Sequence, residues 1–348
     1  MFDKLIGNNH LKDVFKRMIA TDRLPHSLLF VGEEGVGKRA FALEIARASV
    51  CQNPQSGEAC DMCGACKRVD KFNFPNSDKK EDYEQVFFSE HSDVGMVIPY
   101  KNNILVDAVR RLEAESNFRP FEAKARFFII NNAEKLNAAK DNAANALLKT
   151  LEEPSPTTYI FLITSRPASL LPTIRSRCQT VRFAPIETKQ IEGFLENTNQ
   201  YSIEDAELLS KIADGSIGRA LNLDLGKFRE QREAVLKVLE SLLSHQTNRV
   251  VLLKTAEEIN DAKNKEYYEN YLDILQTLIH DLWTLRLGEA AEKIVNADLK
   301  DKLSRLSQNA EPRRLANWLA EIETLRENLS INLNRKIATD ALFMAMAS

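Results

Sequence analysis

A glycine-rich loop between a strand-like and a helix-like segment is the first group of residues in this chain that could bind a phosphate. Gly32, Gly37 and Lys38 stand at the G-x-x-x-x-G-K spacing of a P-loop, with Gly35 between them. Glycines let backbone N–H groups approach a phosphate, and the start of the following helix adds positive potential. The alternative, a glycine-containing turn with no ligand, is disfavoured by the apolar run before the loop and the helical pattern after it.

The residue after the P-loop lysine argues against metal-assisted hydrolysis. A P-loop ATPase has Ser or Thr there, whose hydroxyl holds Mg²⁺, whereas this chain has Arg39. A guanidinium has no acceptor for a cation and brings a competing charge. The loop can therefore cradle phosphate, and ATP or ADP binding is left open, but productive hydrolysis is not expected.

A second apolar run, from Phe127 to Ile130, ends in amides where an active NTPase has acids. In such an enzyme one carboxylate serves Mg²⁺ and another activates water. Here Asn131 and Asn132 take those places, and asparagine carries no negative charge and is not a base. Glu134 lies further on, and we interpret it as a helix-capping or solvated residue.

Four of the five cysteines form a tight group with metal-ligand spacing. Cys51, Cys60, Cys63 and Cys66 follow the pattern C-x₈-C-x₂-C-x₂-C, and short loops let several thiolates reach one ion. Buried free thiols, a redox dithiol and an Fe–S cluster are the alternatives, but four grouped cysteines favour a tetrahedral Zn²⁺ site. With every coordination position filled by protein, such a site is structural.

Alternating strand and helix patterns must position these residues. The strands fall at 27–30, 125–130, 159–163 and 180–183, and the helices between them at 40–46, 107–118 and 138–153. Residues 67–103 read as an irregular connection with one short strand near Met96. The alternation predicts a parallel, doubly wound α/β sheet with the P-loop at the carboxyl edge of a strand.

The strands stop after residue 183, and the remainder reads as helices. We predict three domains: 1–183 with the P-loop and a zinc module at 51–66, a small helical lid domain at 184–226, and a helical collar or oligomerisation domain at 227–348. The last range has Trp283 and Trp318 on apolar faces and charges of alternating sign, as in a helix bundle.

Bulk composition excludes several classes of protein. The 348 residues carry a net charge of -3, which provides no general attraction to nucleic acid or to an anionic membrane. We find no signal-peptide pattern and no apolar run approaching the roughly 18 residues that span a bilayer. The expected location is the cytoplasm, where grouped cysteines favour metal over disulfides.

Taken together, these motifs resemble the clamp-loader branch of the AAA+ proteins over nearly the whole chain. The most specific part is the segment Asn145–Pro154, followed at the expected separation by Ser176-Arg177-Cys178. The P-loop and the Cys₄ insertion directly after its helix agree with this resemblance, and the ending 332–342 is similar to the family's collar. The resemblance implies a P-loop (AAA+) α/β domain with a Cys₄ zinc insertion, a helical lid and an all-α collar.

The resemblance also implies roles for single residues. Arg177 matches the arginine finger that reaches the γ-phosphate held by a neighbouring subunit, where a fixed guanidinium stabilises the developing charge. Thr164 matches the position that senses a γ-phosphate. Arg219 corresponds to a second sensor, but it comes one place late in the pattern Gly-Ser-x-Arg, which turns its side chain by about 100° on a helix. Without the resemblance, a surface salt bridge is the better reading of Arg177.

The implied partners are tau/gamma-like and delta-like clamp-loader subunits, the sliding clamp and primer-template DNA, with no membrane. Because of Arg39, Asn131, Asn132 and the displaced Arg219, we expect a rigid member of a DNA polymerase assembly without ATPase activity of its own. An ATP-hydrolysing tau/gamma-like subunit is the alternative, and it would need the missing acids. A free-standing zinc-dependent nucleic-acid binder is a third class, which the net charge disfavours.

Overall fold

The computed structural model describes residues 2–137, 142–244, 246–261, 267–288, 294–329 and 334–347. Contacts divide the chain into two compact units, each described separately. The first comprises Met1–Asn197 and Ala213–Leu221, and the second comprises Thr198–Ile212 and Asn222–Ser348. The division into three domains at 183 and 226 stays a prediction.

A six-stranded sheet forms the centre of the first unit. Its strands are β1 (Ser27–Val31), β2 (Phe87–Phe88), β3 (Val94–Val97), β4 (Arg126–Ile130), β5 (Thr158–Thr164) and β6 (Gln179–Arg182). Their spatial order is β2-β3-β4-β5-β1-β6, and all neighbours are parallel except the pair β2 and β3. The predicted parallel α/β sheet is therefore confirmed, with one antiparallel edge strand that the irregular pattern of 67–103 did not indicate.

Helices cover both faces of this sheet. The helices of the first unit are α1 (Asn9–Ala20), α2 (Lys38–Val50), α3 (Val106–Ser116), α4 (Asn142–Glu152), α5 (Pro172–Arg177), α6 (Thr188–Asn197) and α8 (Ile217–Asn222), whose last residue belongs to the second unit. The predicted helix at 138–153 is observed from Asn142, and residues 138–141 lie outside the described part of the chain.

Alternating side chains explain why the strands are apolar throughout. Leu28 and Phe30 of β1 belong to one core cluster, which also contains Phe41 and Ile45 of α2. Leu29 and Val31 belong to a second cluster with residues of α3 and α4. A strand buried on both faces needs apolar side chains at every position, so its pattern is a continuous run.

The second unit is a helical bundle. Its helices are α7 (Ile203–Ile212), α9 (Leu225–Leu242), α10 (Arg249–Ile259), α11 (Tyr268–Arg286), α12 (Lys300–Ser307), α13 (Pro312–Leu329) and α14 (Arg335–Met346). They share one hydrophobic core, which contains Trp318. The partly buried Trp283 packs against this core. Residues 332 and 333 of the collar-like ending 332–342 lie outside the described residues.

Helices α9, α10 and α14 of this unit begin with side-chain caps. Asp224 accepts a hydrogen bond from the Lys227 N–H, and Asn248 and Asn334 cap α10 and α14 in the same way. Across the described ranges of the chain, every helix is too short or too polar to cross a membrane.

Candidate functional site

The P-loop lies between β1 and α2, where the sequence predicts it. Gly35 and Gly37 have φ values of +78° and +95°, a region that residues with a Cβ rarely adopt. Gly37 is the residue before the first turn of α2, and Lys38 begins the helix. The loop backbone thus turns sharply at the carboxyl edge of the sheet, and α2 begins at this edge.

The side chain of Lys38 is bound by the loop itself. Its ammonium donates hydrogen bonds to the carbonyl oxygens of Gly32, at 2.6 Å, and Glu33, at 2.5 Å. Only 6% of the residue is exposed, and burial lowers the pKa of Lys38 from its ordinary value because the charged form loses solvation. Lys38, the P-loop residue that would contact a phosphate, is therefore held by carbonyl oxygens of its own loop.

A cavity of about 260 Å³ adjoins this loop. It is lined by Glu34, Gly35, Gly37, Lys38, Arg39, Ala40, Asn131, Asn132, Ile163, Thr164, Ser165, Ile217, Gly218 and Leu221. The structure therefore brings together the P-loop, the two asparagines after β4 and Thr164 at the end of β5, as the order of the strands requires. β5 is the neighbour of β1, and Thr164 pairs with Val31.

Arg39 occupies the place where a metal-binding hydroxyl would stand. Its guanidinium lies over the Phe74 ring, 5.3 Å from the ring centroid. A cation held on an aromatic face is stabilised by about 0.5–1 kcal/mol at an exposed site. The arrangement supplies a positive charge near the cavity but no oxygen ligand for Mg²⁺.

Glu134 is the functional candidate that sequence reasoning missed. The hydroxyl of Thr164 donates to the Glu134 carboxylate at 2.7 Å, and the Arg166 N–H donates to the same hydroxyl at 3.0 Å. The interpretation of Glu134 as a helix cap or a solvated residue did not include this contact. The position of Glu134 could have predicted the contact. Glu134 follows β4, and Thr164 ends β5, which is the adjacent parallel strand.

The first turn of α8 packs on the P-loop through two glycines. The Gly218 N–H donates to the Gly35 carbonyl oxygen at 2.9 Å. A Cβ at Gly218 would lie 2.9 Å from the Gly35 Cα, closer than real Cβ atoms approach. The close approach of the two backbones therefore leaves no room for a side chain at position 218. The next residue, Arg219, is exposed and is not among the residues that line the cavity, although its N–H is bonded to the Ser216 hydroxyl.

We predict that Gly218→Ala destabilises the first unit by about 1–3 kcal/mol, because the added methyl group forces the P-loop and α8 apart. Thermal denaturation of the full chain measures this change. Gly193→Ala in α6 is the control, since nothing lies within 4 Å of its Cβ position. That variant is expected to be neutral or slightly stabilising. Equal melting temperatures for the two variants would contradict the close contact.

The four cysteines converge as predicted. The Sγ atoms of Cys51, Cys60, Cys63 and Cys66 all lie within 4.8 Å of one another, a group that could hold a metal ion. Those of Cys60 and Cys66 are 4.0 Å apart, and those of Cys63 and Cys66 are 3.3 Å apart. Four sulfurs at about 2.3 Å from one tetrahedral Zn²⁺ are about 3.8 Å apart, so the donor set fits this ion.

Backbone hydrogen bonds favour the ionised form of these thiols. The N–H groups of Cys60, Cys63 and Cys66 donate to the sulfurs of Cys51, Cys60 and Cys63 respectively. Burial opposes ionisation of Cys63, but N–H groups of Cys66 and Gln52 and the Cys66 thiol together lower the pKa of Cys63 to about 6. The pKa of Cys60 is lowered as well, whereas burial raises the pKa of Cys51 and of Cys66, so the backbone favours the metal-binding thiolate form at two of the four cysteines.

Ion pairs hold the residues that directly follow the cysteine module (51–66) against the rest of the first unit. The Arg68 guanidinium, which follows Cys66 closely, binds both carboxylate oxygens of Glu122 at 2.9 and 2.6 Å. Arg47 of α2 pairs with Asp70 at 2.7 Å. Such bidentate geometry fixes orientation as well as distance. The chain just after the module is therefore attached to the segment before β4 and to the P-loop helix.

Arg177 lies at the end of α5, away from this chain's own cavity lining. Its guanidinium donates to the Glu152 carboxylate and to the Thr173 carbonyl oxygen, the latter at 2.9 Å. The Arg177 side chain is 32% exposed and the Glu152 side chain is 48% exposed. An exposed ion pair of this kind contributes about 0–1 kcal/mol, so another anion could compete for the guanidinium.

A parallel α/β sheet with a P-loop after its first strand, joined to a mostly helical C-terminal part, defines an AAA+-type P-loop protein. A family model described as "DNA polymerase III, delta subunit" matches residues 7–187, and the model of its C-terminal part matches residues 227–344. The chain therefore belongs to the DNA polymerase III delta-prime subunit family of clamp-loader proteins.

Curated relatives agree with this family. The chain is 29% identical to DNA polymerase III subunit delta' of Bacillus subtilis, over 91% of this chain and 89% of the relative. It is 30% identical to subunit delta' of Pseudomonas aeruginosa, over 93% of this chain and 92% of the relative. Subunit tau of Bacillus subtilis is 28% identical over 79% of this chain but only 46% of the relative.

Proposed function

We propose that this chain is a non-hydrolysing subunit of a DNA polymerase III clamp loader, which helps to place the sliding clamp on primed DNA. The observation that carries the proposal is the pair Asn131 and Asn132 at the cavity beside the P-loop. Amides at the end of β4 cannot replace the carboxylates that bind Mg²⁺ and activate water. Arg39 in place of a hydroxyl points in the same direction.

In this proposal Arg177 is the residue that takes part in chemistry. It is exposed enough to reach a neighbouring subunit, and its fork of donors suits a γ-phosphate held by that subunit. The Glu152 carboxylate orients the guanidinium until a phosphate replaces it. The partners are tau/gamma-like and delta-like subunits, the clamp and primer-template DNA, within the cytoplasm.

The cysteine module would hold one structural Zn²⁺ through Cys51, Cys60, Cys63 and Cys66. The ion would cross-link the turns of the module, whose buried residues Cys51, Ala59, Ala65 and Cys66 also pack into a hydrophobic core cluster of the first unit. The domain arrangement that accompanies this proposal is a P-loop domain at 1–183, a helical lid at 184–226 and a collar at 227–348. Gly32, Gly35, Gly37, Lys38, Arg39, Thr164 and Arg219 would form a degenerate nucleotide site.

One observation favours the alternative, an ATP-hydrolysing subunit. Glu134 places a carboxylate at Thr164, beside the cavity, although it stands outside the two positions where the acids belong. Hydrolysis through Glu134 would still require a ligand for Mg²⁺ in place of Arg39.

Reconstitution with and without partner subunits tests the proposal. The purified chain is expected to contain one zinc per chain, to show no ATP turnover, and to co-purify with the motor and delta-like subunits. Lys38→Ala in this chain is expected to leave the ATPase rate of the assembled loader unchanged. Turnover by the chain without partners that disappears in Lys38→Ala would overturn the non-hydrolysing assignment in favour of the alternative.

A further inference from the structure

Glu134 lies just after β4 and is not in the lining of the P-loop cavity, but its carboxylate accepts a hydrogen bond from Thr164, which is. Thr164 is 1% exposed and lines the cavity, and its hydroxyl is the donor that faces Glu134. A hydroxyl has one proton to donate, so while Thr164 donates to Glu134 it cannot donate to a phosphate. The contact therefore occupies the donor that a terminal phosphate would use.

The same carboxylate acts on the buried ammonium of Lys38. Burial is the largest influence on the pKa of Lys38 and lowers it, and among the carboxylates that oppose this effect Glu134 is the strongest, ahead of Glu34 and Glu33. Lys38 already donates to two loop carbonyl oxygens. Loop carbonyl oxygens and neighbouring carboxylates thus offset part of the cost of burying its charge, without a phosphate.

A nucleoside triphosphate brings its terminal phosphate to the region that the P-loop lysine and the end of the neighbouring strand define. There the terminal phosphate would approach the Glu134 carboxylate across Thr164, with no divalent cation between them, because Arg39, Asn131 and Asn132 supply no anionic ligand for one. A diphosphate ends one phosphate earlier and avoids this repulsion. Two negative groups brought close together oppose binding.

We infer that Glu134 is a specificity-determining residue, an internal anion next to the place of the terminal phosphate, which makes the P-loop cavity accept a nucleoside diphosphate in preference to a triphosphate. The inference rests on the proposed function, since it assumes that the P-loop keeps its contacts with the first two phosphates. It adds a reason for inactivity that is independent of Mg²⁺ ligands. The cavity discriminates against the substrate of hydrolysis before any metal is needed.

Fluorescent ADP and ATP analogues, titrated against the full chain with and without Mg²⁺, test the inference. The wild type is expected to bind the diphosphate about tenfold more tightly than the triphosphate. Glu134→Gln keeps the size of the side chain and removes its charge, so it is expected to remove most of this preference by strengthening triphosphate binding. Glu196→Gln in α6, at an exposed carboxylate, is the matched control and should keep the wild-type ratio.

Two further measurements keep the test decisive if Glu134→Gln folds poorly. Glu134→Ala removes the charge with a smaller side chain and should act in the same direction. In the wild type the preference should shrink as salt is added, because it is electrostatic. Equal affinities in the wild type, an unchanged ratio in the folded variants, or no binding of either nucleotide at millimolar concentration would overturn the inference. None of these results bears on the Arg177 assignment, whose readout is ATP turnover by the assembled loader.

Discussion

Arg177→Ala is expected to lower ATP hydrolysis by about 10³-fold at the neighbouring site that Arg177 serves, the effect usual for an arginine finger. The physical reason is the negative charge that spreads over the phosphoryl oxygens in the transition state. A planar guanidinium stabilises this charge through two directed hydrogen bonds. Among the described residues, the Arg177 guanidinium donates to the exposed Glu152 carboxylate and to a helix carbonyl oxygen, so a phosphate can displace Glu152 at little cost.

Single-turnover hydrolysis by the loader assembled with clamp and primed DNA measures the effect. The fraction of ATP hydrolysed at the served site should disappear from the fast phase, while the other sites keep their rates. Arg175→Ala is the matched control, since Arg175 is an exposed arginine of the same helix, α5. Arg177→Lys should recover little, because an ammonium keeps the charge but not the fork of donors.

Assembly of the loader is the second readout for Arg177. The variant should elute as the same complex in the same amount, because the side chain is a partly exposed surface group. A full fast phase in an assembled complex that carries Arg177→Ala would show that this residue is not the finger. Loss of the complex itself would instead assign Arg177 to the subunit interface.

Cys66→Ser is expected to remove the bound zinc and to destabilise the chain by about 4 kcal/mol, the contribution of a ligand present at about 1,000 times its dissociation constant. Cys66 is buried, and its sulfur lies within reach of the other three. Three thiolates cannot complete a structural tetrahedral site. The midpoint of thermal unfolding should fall by about 10 °C, since each kcal/mol of destabilisation shifts the midpoint of a domain of this size by roughly 2–4 °C.

Zinc content by elemental analysis and the unfolding midpoint, measured on the same sample, test this prediction. Cys178→Ala is the control: Cys178 is also buried, its pKa is raised to about 12 by burial, and it is outside the metal-binding group. This variant should keep its zinc. A strong chelator added to the wild type should reproduce the lowered midpoint. A wild-type protein that contains no zinc after purification in zinc-supplied medium would contradict the site.

Much of the fold could be predicted because its signals are local. Continuous apolar runs identified β1, β4 and β5, and the P-loop pattern located the start of α2. The short edge strand β2, with two residues, was not predicted because so short a segment has no periodicity of its own. It exists because β3 offers an unpaired edge.

The contacts at the candidate site divide in the same way. The cysteine spacing was enough to predict the metal-binding group, since the short loops between the cysteines keep their thiols close together. The partner of Thr164 was not predictable, because it depends on β4 and β5 being adjacent parallel strands with a particular register. A contact between residues distant in sequence is decided by the sheet and not by either segment.

By itself, the sequence determined the family resemblance, the P-loop, the cysteine group and the replacement of the expected acids and hydroxyl by Asn131, Asn132 and Arg39. Each of these is a matter of residue type and spacing. Only the tertiary structure decided that Gly218 packs on Gly35, that Arg177 rests on Glu152 and that Glu134 faces Thr164 beside Lys38. Backbone packing sets those distances, and electrostatic and steric effects depend on distance in space.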